Sequence, residues 1–150
     1  MKSILAALDF SAAMPEVAAK AAALARTTGA RLWLVHVAAP EPDLVGTRVG
    51  PKYVREDRAN TLRQEHRELH ALRDKLAESG TDVEALLVQG PTVSTLLEKA
   101  AELKVDVIVM GTHGRSGIRR MLMGSVCEQV LRESPVPLHI IPIRAEEEEA

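Results

Sequence analysis

The chain has 150 residues, a formal net charge of −2, and 46% hydrophobic, 27% charged and 2% aromatic residues. That length sustains one core burying roughly two thirds of the unfolded surface, and with so few aromatics Ala, Leu, Val and Ile must fill it. The near-neutral balance excludes a broad basic field for nucleic acid, and Trp33, Tyr53 and Phe10 are too few for a stacking platform. Cys127 is the sole cysteine and no run approaches the ~20 apolar residues of a membrane span, so a cytoplasmic protein without membrane contact is expected.

Ser3 to Leu8 is a short apolar segment that Asp9-Phe10-Ser11 interrupts; Pro15-Glu16 then opens an alanine-rich stretch that ends before Gly29. This predicts strand, turn and helix. Leu32 to Val37 is nearly continuous and apolar, as in a strand covered on both faces, and Pro40 and Pro42 stop it. A loop from Asp43 to Pro51 leads into a heavily charged segment from about Tyr53 to Ser79, whose Leu62, Leu69, Leu72 and Leu76 share one helical face. His66 falls beside Leu62 and Leu69 on that packed face, and His66 and His70 lack the order of a zinc-protease motif, so no metal site is expected there. Val83 to Val88 predicts a third strand, Thr92 to Leu103 a helix, Val105 to Met110 a fourth strand, Ser125 to Arg132 a helix and Leu138 to Ile143 a last strand.

Five such strands alternating with helices imply an α/β fold, a doubly wound parallel sheet with helices on both faces. Ligands of such sheets bind beyond the carboxyl ends of the strands, where Asp9, Val37, Gly90 and Gly111 stand. The domain is expected to span residues 1–144, with 145–150, rich in glutamate, a solvated acidic tail.

Directly after the fourth strand come Gly111-Thr112-His113-Gly114-Arg115-Ser116-Gly117 and, beyond a basic and apolar stretch, Gly124-Ser125. Glycines admit a ligand close to backbone N–H groups, and a helix starting at Ser125 adds unpaired donors and partial positive charge, so an anion is the natural occupant. The Ser125 hydroxyl either caps its own helix or donates to a phosphate oxygen. Asp9 is either a ligand-facing carboxylate or a turn-capping residue, Arg115 either a phosphate contact or a solvated side chain. His113 has no nucleophile or orienting acid beside it in sequence, which favours a loop-stabilising hydrogen bond, and Cys127 reads as a small core residue rather than a reactive thiol.

The segment lacks the Lys and Ser/Thr of a P-loop and the GxGxxG of dinucleotide folds. Its spacing, Gly111, two residues, Gly114, nine residues, Gly124-Ser125, resembles the nucleotide-binding members of the universal stress protein family. So do Leu8-Asp9-Phe10-Ser11, Leu34-Val35-His36-Val37 and Pro137-Leu138-His139-Ile140-Ile141, and the resemblance spans nearly the whole chain. It implies strand order 3-2-1-4-5 and a ligand that is ATP, or ADP or AMP, with or without Mg2+. By the same resemblance Asp9 meets the ribose, the Val37 backbone meets adenine, Ala7 and Met110 line the base pocket, and backbone donors at Gly111, Gly114, Gly124, Ser125 and Val126 hold the phosphates, with His113 and Arg115 in the same loop. The expected function is a regulatory, stress-responsive nucleotide-binding module; the alternatives are a slow ATPase or adenylyl-transfer enzyme, and a ligand-free structural dimer. A homodimer is expected through the last strand, from about Leu138 to Ile143, an apolar sheet edge that Pro142 limits.

Overall fold

Strand residues alternate between two apolar faces, and that alternation builds the molecule. The computed structural model describes residues 1–38, 52–113 and 124–143. In chain order the elements are β1 (Ser3–Leu8), α1 (Met14–Thr28), β2 (Arg31–Ala38), α2 (Lys52–Glu78), β3 (Val83–Gln89), α3 (Thr92–Glu102), β4 (Val107–Gly111), α4 (Ser125–Glu133) and β5 (Leu138–Ile141). The five strands form one parallel sheet in the order β3-β2-β1-β4-β5. The chain winds outward from β1 to β3, then crosses back to lay β4 against the other side of β1. This reversal opens a crevice at the carboxyl ends of β1 and β4.

One face of the sheet, with Ile4, Ala6, Leu8, Leu32 and Leu34, packs beneath α1 and α2 through Val17, Ala18, Ala21, Ala22, Ala25 and Leu69. The alanine stripe of α1 lets that helix sit close to the sheet. The other face, with Leu5, Val35, Val37, Ile108 and Met110, packs beneath α3 and α4 through Leu96, Ala100, Cys127 and Val130. Each fully buried Leu, Ile or Val stabilises the fold by about 1.5–3 kcal/mol before entropy is counted, so two aliphatic layers replace the missing aromatics.

Two expected strand boundaries move by two residues. β4 starts at Val107 rather than Val105, because the Val105 N–H turns back to the Ala100 carbonyl (3.1 Å) and closes α3, with Lys104 in the left-handed region at φ 53°. Asp106 then ties the starts of two strands together: its carboxylate accepts the N–H groups of Lys2 (2.7 Å) and Ser3 (3.0 Å). β5 ends at Ile141 rather than Ile143, since Pro142 has no N–H and the Ile143 N–H is donated to the Thr112 hydroxyl (2.9 Å). His66 is exposed, contrary to its expected place on the packed face of α2: the centre of that face runs through Glu65, Leu69, Leu72 and Leu76, and His66 lies at its margin with its ring 4.2 Å from that of His70. Gly114 and Arg115, the loop from Asp43 to Pro51 and the acidic tail lie outside the described residues.

Candidate functional site

The turn after β1 is tightly held. Asp9 Oδ1 accepts the Ser11 N–H at 3.0 Å, so the turn-capping role of this carboxylate is realised. Phe10 sits at φ 59°, an unusual conformation for a bulky residue that costs about 1–3 kcal/mol. On β2, Val37 faces the α3 and α4 layer, as does Ala7 on β1. His36 faces the other way and is buried: its Nδ1 donates to the Leu8 carbonyl (2.8 Å), its Nε2 lies 3.5 Å from Glu65 Oε1 on α2, and the Phe10 ring meets it edge-on at 4.6 Å.

At the end of β4 the Thr112 N–H pairs with the Ile141 carbonyl (3.0 Å), and the Thr112 hydroxyl meets His113 Nδ1 at 3.1 Å, a loop-stabilising bond. The Gly124 N–H reaches back to the Thr112 carbonyl (2.6 Å), which fixes the start of α4 beside the end of β4. That bond takes the Gly124 donor out of the expected phosphate-holding set. The N-cap of α4 is Gly124 itself, in extended conformation (φ −71°, ψ 162°) and without a side-chain cap; Ser125 is the first helical residue and its hydroxyl does not cap. The N–H groups of Ser125, Val126 and Cys127 therefore have no intrahelical acceptor and point out of the helix start. Gly111 has a packing reason to be glycine: a Cβ there would stand 2.9 Å from Ile143 Cγ1 and 3.3 Å from Val17 Cγ2.

These pieces meet around a cavity of about 590 Å³ at the carboxyl ends of β1, β2 and β4. Ala7, Asp9, Val37, Met110, Gly111, His113, Gly124, Ser125 and Val126 all line it. So do residues that the sequence did not single out, chiefly His36, Arg58, Thr61, Glu65 and Thr92. A signal for them existed. The leucine stripe of α2, continued toward its start from Leu69, passes through Glu65, Leu62, Thr61 and Arg58, and polar residues on a packed face mark where that face leaves the core for a cavity. Likewise His36 is a polar residue in an otherwise apolar strand, and a buried ring must find partners.

The cavity has an apolar side, where Val35, Val37, Leu96, Met110 and Cys127 are drawn from the α3 and α4 layer, and a polar side with Asp9, Ser11, His36, Thr61 and Glu65. A flat apolar group fits the first, hydroxyl groups suit the Asp9 carboxylate, and an anion suits the start of α4. Cys127 is buried, and that burial pushes its thiol above the ordinary range, as a core residue and not as a nucleophile. Among the described residues no three His, Cys, Asp or Glu side chains converge to hold a metal ion, and no helix is long and apolar enough to cross a membrane.

The universal stress protein family model matches residues 1–142. The chain belongs to the universal stress protein family. Among curated relatives, the universal stress protein in the QAH/OAS sulfhydrylase 3′ region of Thermus aquaticus is 34% identical over 143 residues, covering 93% of this chain and 98% of that one. The solved structure of protein MJ0577 of Methanocaldococcus jannaschii shares the fold, with a TM-score of 0.83 and 23% identity over 97% of this chain and 98% of that one. A universal stress protein solved in complex with cAMP is 25% identical, with a TM-score of 0.66, over 93% of this chain and 95% of that one. The five-stranded parallel sheet in the order 3-2-1-4-5 is thus the fold of this family.

Proposed function

We propose that the cavity holds an adenine nucleotide, with ATP, or ADP or AMP, as ligand, and that this universal stress protein is a regulatory binding module responding through its loaded and empty states. The observation that carries the reading is the convergence of an apolar slot (Ala7, Val37, Met110), a carboxylate (Asp9) and the start of α4 (Ser125, Val126) on one cavity. Adenine enters the slot and meets the Val37 backbone, the ribose hydroxyls donate to Asp9, and the phosphates accept from the first-turn N–H groups of α4, where the helix dipole favours negative charge. A cavity of about 590 Å³ lies within the ordinary range of small-molecule sites. The relative that was solved with cAMP supports an adenine nucleotide as the ligand class.

Isothermal titration of the purified protein with ATP, ADP, AMP and cAMP, with and without Mg2+, tests this reading. Saturable one-to-one binding of at least one of them is expected, and no saturable binding by any refutes it. Edge strand β5, whose Leu138 and Ile140 are only partly buried, supports a homodimer paired through this strand. Light scattering that reports a monomer at micromolar concentration would count against that pairing.

A further inference from the structure

The turn that carries Asp9 has no sheet partner of its own, and Phe10 within it is held in a strained conformation. One side chain reaches the turn from β2 on both flanks of Asp9. His36 Nδ1 lies 2.8 Å from the carbonyl of Leu8, the residue before Asp9, and the ring stands edge-on to Phe10, the residue after it. A carbonyl only accepts, so Nδ1 carries the proton. The remaining nitrogen, Nε2, faces the carboxylate of Glu65 at 3.5 Å, and both side chains are largely buried.

We infer that His36 is a positioning residue of the nucleotide site, tying the Asp9 turn to α2 through a proton shared between its Nε2 and the Glu65 carboxylate. The inference rests on the nucleotide reading above. Its logic is a count of donors. With Nδ1–H committed to Leu8, a neutral imidazole presents a lone pair to an ionised carboxylate, two acceptors facing each other away from water. One further proton, on Nε2 or on the carboxyl oxygen, turns the contact into a hydrogen bond. The strut is therefore closed while the pair holds that proton and open once it is lost. Other titratable or charged groups on this cavity are Asp9 from the turn, Arg58 from α2 and His113 after β4, with Cys127 on the opposite face of the sheet. With the strut open, the turn loses its tie to α2, and the carboxylate offered to the ribose loses that part of its support.

The sign follows: nucleotide affinity is greatest where the pair is protonated and falls as pH rises and the proton leaves. Three variants separate the parts. Glu65→Gln supplies an amide that donates to a neutral Nε2 or accepts from a protonated one, so its affinity loses the wild-type change with pH. His36→Asn places its amide nitrogen where Nδ1 was, keeps the bond to Leu8, and also loses the pH dependence. His36→Gln reaches Glu65 but not Leu8, and ATP binding weakens by about tenfold, the worth of one buried hydrogen bond. ATP itself titrates, so each variant is compared with the wild type at the same pH. Hydrogen exchange at the Ser11 amide, which Asp9 protects, is measured without ligand and is expected to quicken in His36→Gln and not in His36→Asn. Wild-type ATP binding together with unchanged affinity and exchange in His36→Gln overturns the positioning role alone, as does a Glu65→Gln profile that keeps the wild-type slope. Absence of ATP binding by the wild type at every pH overturns the nucleotide reading and this role with it.

Discussion

Replacing Gly124 by Asp sets the stability of α4 against the binding of phosphate. Gly124 is the N-cap in an extended conformation that any L-residue adopts, and no side chain caps the helix. An Asp there supplies the missing acceptor, worth a few tenths of a kcal/mol over Gly, and a negative charge at the helix start, worth about 0.3–1 kcal/mol. Together they amount to about 1 kcal/mol, which raises the melting temperature of a domain of this size by about 2–4 °C. The same carboxylate stands on the cavity wall where phosphates are proposed to sit. At a separation of about 4–6 Å and an effective dielectric of about 20, each unit-charge pair costs about 3–4 kcal/mol, a loss of affinity on the order of a hundredfold or more. Salt screens the repulsion, so the loss shrinks as ionic strength rises. Thermal melting and ATP titration of wild type and variant are thus expected to move in opposite directions. Unchanged ATP affinity in a variant that melts at or above the wild-type temperature would refute the placement of phosphates at α4.

Gly111→Ala forces Ile143 and Val17 to give way, so it lowers stability by about 1–3 kcal/mol, seen as a lower midpoint in chemical denaturation; an unchanged midpoint would mean that Ile143 swings aside freely. The backbone N–H groups of Lys2, first, and Ser3 hold the Asp106 carboxyl below its ordinary range. A group depressed in the folded state contributes stability above its unfolded pKa and loses it as pH falls through the folded one, so Asp106→Asn is destabilised at neutral pH and converges on the wild type in acid, measured as melting temperature against pH. Burial pushes the Cys127 thiol up, so its alkylation by iodoacetamide at neutral pH is expected to be much slower in the native protein than in urea; equal rates would contradict its place in the core.

Much of this molecule was legible from its periodicities. The nearly continuous apolar run from Leu32 to Val37 and the run from Val105 to Met110 marked two of the strands, and Gly111 and Gly124, singled out by their spacing, both line the cavity. The parts that sequence did not yield depend on partners distant along the chain. Val105 leaves the strand because α3 needs its N–H, and Ile143 leaves because Thr112 offers a hydroxyl. The Ser125 hydroxyl could cap its helix or face a ligand, and with Gly124 as the N-cap the capping role falls away. His36 and Glu65 each stood out as a polar residue on a packed face, but their pairing was hidden because no local pattern joins a strand residue to a helix almost thirty positions away.

The cavity is walled by members of both hydrophobic layers, Leu8 and Val17 from one and Val37, Leu96 and Met110 from the other. An occupant touching both therefore couples two cores that the sheet otherwise keeps apart. The same five strands carry both layers, and in the nucleotide reading a ligand seated between them has its contacts broken before either layer opens. Ligand at a hundredfold excess over its dissociation constant adds about 2.7 kcal/mol to that cooperative unit. Occupancy would then be read out as a change in how late the molecule unfolds, set by contacts that reach both faces of its sheet.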